Sequence, residues 1–567
     1  MSDISQQLAA LHGKGGFARL DDLAVIEIRG RDAAQLLQAR TTNDVVALQP
    51  GHSLINCLLD RTAHLQAVFA LYRFSDYFWI VTERQQVSTI IEQIEAYHFR
   101  EDVTLIDRIA DGDFWTVQGP QAPVFVGRSL ADENPARSLA LDAFVSSVDG
   151  QAVTVLKRSL TSEDGYLIWV PSAAPPHVTE SLNQHFQSLQ LQALSDQALE
   201  VARLEAGLPK YGLDISLDDL VTDTGLEQVA VSYDKGCYVG QEVVARIKTY
   251  SAPRKGLVGI RFPEGSPRSF PVGTKCLIAG HVVGELKSNT FSPTLGCTIA
   301  LAFLTREHRE PGQKLSLEIA GQTYEVAVVL LPFYTPPSRG ERARQLYEQA
   351  LADFAADRES AAIEQLRAAL LLDPCCADAY EALGVILSKI DELDEAIELM
   401  QKLAQLDEDS VMAHTNLSVF YMQKGDKERA EEEKAQAMSI QMRKIAQEAV
   451  REQKQQEDDQ RRRAEAEERM RMFRAVLEID ADDLLANYGL GSVHVDLGEY
   501  EQAIPFLQKA IEVKPTHTVA YLALGRAFEA LEKLPEAFET YKEGISIAAK
   551  RGDMMPLKEM QSRLAQL

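Results

Sequence analysis

The stretch YDKGCYVGQEVVAR, residues 233–246, places one cysteine between two glycines and close to several polar side chains. Lys235 comes two residues before Cys237 and would favour the thiolate form of its sulfur, because a nearby cation stabilises negative charge. Gln241 and Glu242 add a hydrogen-bonding group and a proton acceptor. The residues alone leave four interpretations open: a nucleophile, a redox thiol, a metal ligand, or a small buried cysteine in a glycine-rich turn.

Length and composition restrict the class of protein. A chain of 567 residues predicts two or more domains. Its formal net charge of −26 argues against a non-specific grip on nucleic acid or an anionic membrane. No apolar run approaches the length of a membrane span, and the N-terminal residues show neither a signal nor a transit pattern. Six cysteines without a CxxC pair are too few for a disulfide scaffold, so we expect a cytoplasmic protein.

The texture of the sequence changes twice along the chain. Residues 1–252 mix helix and strand patterns, with a strand pattern such as LAVIEIRG at 23–30, and predict an α+β domain. Residues 253–335 contain short apolar runs punctuated by glycine and proline, which predict a small β-barrel. A proline-rich break follows, and we predict a linker at 336–342.

Residues 343–567 have a helical pattern that repeats every 34 residues. One series of small residues consists of Ala350, Gly384 and Ser418, then Gly491 and Gly525; a second consists of Ala362, Ala396 and Ala430, then Ala503 and Ala537. This resembles the tetratricopeptide repeat, although the family's tryptophan position holds Tyr380, His414, Asn487 or Tyr521. We predict an all-α solenoid of about five units; the alternative is an irregular helical domain.

An insertion interrupts the repeats. The step from Ser418 to Gly491 is 73 residues, which is one repeat plus 39, and the excess falls near 438–473. Apolar residues at 438, 442, 445 and 449 form a helical seam, and seven basic and seven acidic residues follow within 451–471. The pattern predicts a charged helical insertion, either a solvated helix or a hinge, and leaves open whether it is straight.

The glycine-flanked cysteine also carries a family resemblance. KGCYVGQEVVAR resembles the signature of the YgfZ family, the folate-binding relatives of the glycine-cleavage T-protein. Four more segments resemble motifs of these families in the same order: LLQARTTNDV at 36–45, SEDGYLI at 162–168, RLEAGLPKYGLDI at 203–215 and GELKSNTFSPTLGCTIALAFL at 284–304. The resemblance spans most of residues 20–335 and implies a folate-binding body closed by a barrel, with a pocket for tetrahydrofolate or another reduced folate.

The resemblance also implies roles for individual residues. Cys237 would be the reactive group, assisted by Lys235 and Glu242, and no metal site is implied. The implied cofactor contacts are Glu163, Arg203, Tyr211, Gly236, Gly240 and Gln241.

Several of these candidates have an alternative structural interpretation. Glu163 would contact the pterin or be a surface acid in a strand turn. Arg203 would hold the folate carboxylate or an internal acid such as Glu205. Tyr211 would stack on the pterin or fill the core.

One segment separates the branches of the resemblance. T-proteins share a G-G-x-x-D-D turn whose second aspartate orients the folate nitrogen, and the corresponding segment here is TAHLQAVF at 62–69. Ala67 and Val68 stand where the two acids would fall, and a neutral aliphatic side chain cannot take a proton from an amine. The first interpretation is therefore a YgfZ-like protein that supports iron–sulfur cluster assembly or repair.

In that interpretation the repeats hold protein partners, namely iron–sulfur enzymes or assembly factors. Two alternatives remain: a folate-dependent aminomethyltransferase or demethylase, and a scaffold with a vestigial folate domain. Whether the protein is an enzyme stays open; if it is one, the resemblance implies a tetrahydrofolate-dependent one-carbon transferase.

Overall fold

The computed structural model describes residues 3–131, 135–250, 252–319 and 321–567. The chain divides into two compact units, one formed by Met1–Glu408 with Val419–Lys427 and the other by Asp409–Ser418 with Glu428–Leu567. Within the described ranges, no helix combines the length and the apolar character that a membrane crossing requires.

The first 250 residues form two antiparallel-rich sheets with helices. In chain order the elements are α1 Asp3–Gly13, β1 Gly16–Leu20, β2 Leu23–Arg29, α2 Ala33–Arg40, β3 Ser53–Leu59, β4 Leu65–Arg73, β5 Tyr77–Glu83, α3 Val87–Glu95, β6 Thr104–Asp107, β7 Gly112–Gln118, α4 Ala122–Ser129, α5 Pro135–Ala140, β8 Ala143–Val148, β9 Gln151–Lys157, β10 Gly165–Pro171, α6 Pro176–Ser188, β11 Gln192–Ala193, α7 Asp196–Glu205, α8 Glu227–Ala230 and α9 Gln241–Tyr250. One sheet has the order β3-β4-β5-β2-β6 and the other β11-β1-β7-β10-β9-β8.

The two sheets pack face to face. This packing explains why the sequence of β2 is an almost continuous apolar run. Val25 faces the second sheet in a core that includes Phe114 and Leu167, whereas Ile26 and Ile28 face α2 and α3 on the other side. Because both faces of β2 are buried, hydrophobic side chains do not alternate with polar ones. The layers are therefore helices, sheet, sheet and helices.

A closed six-stranded barrel follows. Its strands are β12 Lys255–Arg261, β13 Lys275–Ile278, β14 His281–Ser292, β15 Cys297–Thr305, β16 Lys314–Ile319 and β17 Gln322–Val329, in the order β12-β15-β14-β13-β16-β17. Apolar side chains such as Ile260, Leu286 and Leu317 fill the interior. Closure removes free strand edges, so this short-stranded segment is stable as a barrel.

Everything after the barrel is helical. The helices are α10 Arg339–Ala355, α11 Glu359–Leu372, α12 Ala377–Lys389, α13 Leu393–Leu406, α14 Val411–Lys424, α15 Lys427–Ile479, α16 Leu484–Asp496, α17 Tyr500–Val513, α18 Thr518–Ala530, α19 Leu534–Arg551 and α20 Met554–Leu564. Together with the sheets and barrel, they confirm the predicted fold class: an α+β body, a barrel and a helical repeat region.

Small residues of the 34-residue series lie where the two helices of a pair touch. A Cβ added to Gly384 would come within 2.6 Å of Met400, and one added to Gly525 within 2.2 Å of Tyr541. Distances this short exclude any larger side chain unless the neighbour moves. The 34-residue spacing therefore correctly predicted where the two helices of a repeat contact each other.

The insertion is one continuous helix. Helix α15 contains 53 residues, Lys427–Ile479, so at ~1.5 Å per residue it is roughly 80 Å long. The apolar seam at Met438, Met442 and Ile445 is exposed, with 60% of Ile445 accessible. The sequence left open whether the insertion is straight or folded back. Because it lies within one unbroken helix, it does not fold back.

The predicted linker at 336–342 is only partly a linker. Ser338 caps α10, its side chain accepting from the backbone N–H of Glu341 while the Glu341 carboxylate accepts from the N–H of Ser338. The helix thus begins at Arg339, and Arg342, assigned to the linker, is a buried helical residue.

Candidate functional site

A cavity of about 870 Å³ lies in the body, between its two sheets. Strands β3 and β4, the loop after β9, and helices α7 and α8 form its wall. The apolar lining consists of Leu20, Leu23, Leu54, Ile55, Val68, Ala70, Leu160, Leu199, Leu208, Pro209, Leu226 and Val229. A concave, mostly apolar site of this size is typical of small-molecule binding.

Alternation along β4 decides which of its side chains reach the cavity. Val68 and Ala70 line the cavity, whereas Ala67 points to the opposite face and packs in the core beneath α2 and α3. Two residues, Ala67 and Val68, stand where T-proteins carry acids. Only Val68 therefore faces the cavity, where a ligand would contact it. There the wall presents a hydrocarbon surface and no proton acceptor.

Four cationic side chains line the same cavity, and two of them donate hydrogen bonds to carboxylates of the protein. Lys210 donates to Asp22 at 3.0 Å, and Arg203 is fixed by carboxylates described below. Lys157 lies 3.7 Å from Asp142, and Arg158 donates through Nη1 to the carbonyl oxygen of Val81 at 3.3 Å.

The sequence prediction did not include Lys157 and Arg158. The only available signal was their position a few residues before the SEDGYLI motif at 162–168.

Arg203 is held by internal acids. Its Nε and Nη2 donate to the two carboxylate oxygens of Glu200 at 2.9 and 2.6 Å, and Nη1 donates to Asp214 at 2.8 Å. Asp214 is fully buried, so this pairing is shielded from solvent. Arg203 lines the cavity, and the internal acids that hold it are Glu200 and Asp214 rather than the Glu205 suggested from the sequence; its contact with a folate carboxylate stays a prediction.

Glu163 does not line the cavity described here. Its side chain is 0% exposed, and its carboxylate accepts from the Tyr334 hydroxyl at 3.2 Å and from Nη2 of Arg342. Its Oε1 also lies 3.0 Å from Nδ1 of His12. The alternative interpretation of Glu163 as a surface acid is therefore wrong, and its predicted contact with a pterin stays a prediction, although these contacts occupy both of its carboxylate oxygens.

His12 connects Glu163 to a second buried acid. Its Nε2 lies 3.1 Å from Oε2 of Glu205, and Oε1 of the same carboxylate accepts from the hydroxyl of Ser292 at 2.5 Å. Burial alone lowers the pKa of His12, but the hydrogen bonds and charges of the two carboxylates outweigh it and raise the pKa from 6.5 to about 9. His12 is therefore an imidazolium at neutral pH, and nothing in its sequence context signals this.

We call the set His12, Glu163, Glu205, Tyr334 and Arg342 the His12 cluster. Its members come from α1, the loop before β10, α7, the segment after the barrel and α10.

Tyr211 also lies outside the cavity lining. Its hydroxyl donates to the carbonyl oxygen of Gln66 at 3.0 Å, and its ring packs in an apolar cluster with Leu65, Ile215 and Val221. The structure shows a packing contact for this residue, which was one of its two sequence interpretations.

Lys235 is buried and acts on the backbone of a distant segment. Its ammonium donates to the carbonyl oxygens of Gln38 at 2.6 Å, Thr41 at 2.6 Å and Asn43 at 2.8 Å. An ammonium has three N–H donors, so these bonds use all of them, and they hold the chain just after α2. Burial lowers the pKa of Lys235 to about 8. The predicted assistance to Cys237 therefore lacks a free donor.

The rest of the motif forms a surface loop that leads into α9. Cys237 and Glu242 are exposed, and Gln241 begins the helix. Gly240 has φ +83°, and a Cβ there would lie 2.6 Å from the carbonyl oxygen of Asp60, so glycine is required at this close approach. A Cβ on Gly236 would meet nothing within 4 Å, so space does not require glycine there.

The cysteines of the chain differ from one another in accessibility. Cys57 and Cys276 are buried, and burial raises the pKa of each thiol to about 12. Cys375 is exposed, in the turn before α12. Among these, Cys237 and Cys375 are the thiols that a protein partner reaches.

The body therefore contains two separate features. The cavity is lined largely by apolar side chains and also by Lys157 and Arg158, while the glycine-flanked thiol lies on the surface. Neither Cys237, the predicted reactive group, nor its neighbours Gly236, Gly240, Gln241 and Glu242 belong to the described cavity lining.

Comparisons with known families agree with this architecture. Residues 2–235 match the GCVT N-terminal domain, and residues 255–335 match the glycine cleavage T-protein C-terminal barrel domain. Residues 347–411 and 482–550 match tetratricopeptide repeats.

Curated relatives show the same likeness over the body. An aminomethyltransferase of Symbiobacterium thermophilum is 30% identical over 350 residues, which is 60% of this chain and 91% of that protein. One from Bacillus velezensis is 28% identical over 343 residues, 60% of this chain and 92% of that protein.

A solved structure shows the fold. The crystal structure of glycine cleavage system aminomethyltransferase T from Bartonella henselae superposes with a TM-score of 0.51 at 20% identity, covering 59% of this chain and 90% of that one. With a body and barrel of this architecture, followed by tetratricopeptide repeats, the chain belongs to the glycine-cleavage T-protein family.

Proposed function

We propose that the cavity binds tetrahydrofolate or another reduced folate. The observation that carries the proposal is its combination of volume, apolar wall and accessible cations. The flat ring system would be buried against Ile55, Val68 and Leu199, which favours binding through removal of apolar surface from water. Lys157 and Arg158 would pair with the glutamate carboxylates, a geometry that suits a guanidinium.

We further propose that the protein is YgfZ-like and supports iron–sulfur cluster assembly or repair. Val68 supports this branch, because a valine cannot perform the proton chemistry of a T-protein aspartate. Cys237 supports it as well, since an exposed thiol is accessible to a protein or a cluster. In this proposal Glu242 assists Cys237, while Gly236, Gly240 and Gln241 shape the loop.

The repeats complete the proposal. We assign residues 343–567 to binding an iron–sulfur enzyme or assembly factor, because stacked helix pairs present a concave surface for partner segments. We propose that residues 1–252 and 253–335 are the two domains of the body. We also propose that the protein is located in the cytoplasm. Fractionation of cells that express the tagged chain would test the last point.

Titration of the full chain with tetrahydrofolate tests the cavity. Val68→Trp fills it and should weaken binding at least tenfold, whereas Val272→Trp, at an exposed position in the barrel, should leave affinity unchanged. Arg158→Met should cost about 1.5–3 kcal/mol for a lost hydrogen bond to a charged group. Absence of binding by the wild type, or equal affinity of the two tryptophan variants, would overturn the folate proposal.

Complementation tests the thiol. In cells lacking the protein, Cys237→Ser should fail to restore iron–sulfur enzyme activity although it folds and binds folate. Cys375→Ser, which changes the other exposed cysteine, should restore it. Restoration by both variants would show that Cys237 is dispensable.

A second candidate function is aminomethyl transfer, which the names of the curated relatives favour. It predicts one-carbon transfer to tetrahydrofolate by the wild type, and it predicts that Val68→Asp raises the rate. Folate binding without turnover in either protein would favour the YgfZ-like role. A scaffold with a vestigial folate domain predicts full complementation by Val68→Trp.

A further inference from the structure

Two chain segments that form the cavity wall each lead to a buried glutamate. Residues 157–160 line the cavity, and Glu163 follows in the same loop. Helix α7 lines it through Leu199 and Arg203, and Glu205 ends the same helix. Both carboxylates are fully buried and both contact His12. The wall of the cavity and the His12 cluster therefore share two segments, the loop after β9 and helix α7.

The first helix of the repeats, α10, supplies the arginines that pair with the acids of loop 158–164. Arg342 of α10 pairs with Glu163, and its side chain is 8% exposed. One turn earlier, Nε and Nη2 of Arg339 donate to Oδ1 of Asp164 at 2.8 and 2.5 Å. Two consecutive acids of the loop are thus held by two arginines on one face of α10.

Independent contacts fix the position of α10 and α11 against the body. The capping box at Ser338 sets where α10 begins, and a Cβ on Gly127 of α4 would lie 3.0 Å from Leu371 of α11. Arg128 also donates to the carbonyl oxygen of Glu364 at 3.1 Å. With α11 held in this way, the arginines of α10 are preorganised for the loop.

We infer that α10 is a positioning element of the cavity, with Arg342 holding loop 158–164 through Glu163. Ligand affinity in the cavity and the packing of the first repeat pair are then coupled, and the coupling is reciprocal. A ligand that orders the wall stabilises α10, and any change that displaces α10 weakens the ligand. The inference rests on the proposed folate function only in its choice of probe.

Tetrahydrofolate titration of the full chain tests the effect in one direction. Arg342→Met should raise the dissociation constant about tenfold, a typical size for coupling between sites. Arg342→Lys keeps the positive charge and should recover part of the affinity. Arg367→Met removes an exposed arginine of α11, which pairs with Glu395 of α13, and should change affinity less than twofold. Equal affinity of Arg342→Met and wild type would overturn the inference.

Hydrogen exchange tests the other direction and separates the two proposals. In the wild type, tetrahydrofolate should slow amide exchange in Arg339–Ala355 as well as in the cavity wall. Protection of the wall without α10 would overturn the coupling while leaving folate binding intact.

If the wild type does not bind tetrahydrofolate, the folate proposal fails and exchange without ligand decides the inference. Faster exchange of loop 158–164 in Arg342→Met, or in Arg342→Lys if the first variant does not fold, would support it. Unchanged exchange in the loop would overturn it.

Discussion

The His12 cluster and the charged segment 451–471 of α15 use the same residue types in opposite surroundings. In the cluster, Glu163 and Glu205 are 0% exposed and every charge has a partner from a distant part of the chain. In α15 the ion pairs are local, such as Arg461 with Asp458 at 3.1 Å, and 71% of the Arg461 side chain is exposed. One region fixes tertiary structure, and the other keeps a long helix solvated.

The difference follows from the dielectric environment. Removing one partner of a buried pair leaves an uncompensated charge away from water, whereas a surface charge is returned to water at little cost. The number of charged residues therefore says nothing about stability until their burial is known.

The largest effect should come from breaking the cluster at one residue. Glu163→Ala removes the carboxylate that accepts from Arg342 and leaves the imidazolium of His12 with Glu205 alone, so it should lower the free energy of unfolding by about 3–5 kcal/mol. Urea unfolding of the full chain, followed by tryptophan fluorescence, measures the change. The double variant Glu163→Ala/Arg342→Ala should lose less than the sum of the single changes, and strict additivity would contradict the pairing.

The next effect is a pH dependence. The pKa of His12 is raised from 6.5 to about 9 in the folded protein, so its contribution is fully present below pH 6.5 and is lost as pH rises through 9. We expect a loss of roughly 3 kcal/mol across that window, which His12→Gln should abolish. Unfolding curves between pH 6 and 10 measure it, and identical slopes in both proteins would contradict the assignment.

A smaller effect should distinguish two residues of the KGC motif. Lys235→Met leaves three backbone carbonyl oxygens without their donor and should cost about 1–3 kcal/mol. Cys237→Ser changes an exposed side chain and should shift stability by less than about 0.5 kcal/mol. Thermal unfolding of the two variants measures the contrast. A larger loss for Cys237→Ser would show that the thiol is the structural member of the motif.

The smallest effect should come from the charged segment. Arg461→Gln removes an exposed pair and should change the free energy of unfolding by less than about 0.5 kcal/mol, with helicity preserved. Circular dichroism and urea unfolding measure both. A loss comparable to that of Glu163→Ala would mean that the segment is covered in solution, for example by a second copy along the exposed seam at Met442 and Ile445.

Local patterns predicted much of the fold. The 34-residue spacing located Gly384 and Gly525 at helix contacts because a notch needs a small residue at each repeat. The resemblance of residues 62–69 to a T-protein motif singled out Val68, and the structure places this residue in the cavity lining. These signals lie within short stretches and so are visible without the structure.

Long-range partners could not be predicted in the same way. Glu163 and Arg342 are 179 residues apart, and Lys235 reaches carbonyl oxygens almost 200 residues earlier. Burial changes the meaning of a charged residue, and neither residue type nor spacing reports it. For this reason Glu163 was assigned to a ligand and Lys235 to a thiol, while the structure gives both of them protein partners.

The three carbonyl contacts of Lys235 make this residue an internal reporter. A pKa of about 8 would make its amine more reactive near neutrality than an ordinary lysine, yet its burial excludes reagents in the folded state. Acylation of Lys235 must therefore wait for the end of α2 to separate from the motif. The labelling rate of this one amine, relative to exposed lysines, measures the free energy of that local opening under native conditions.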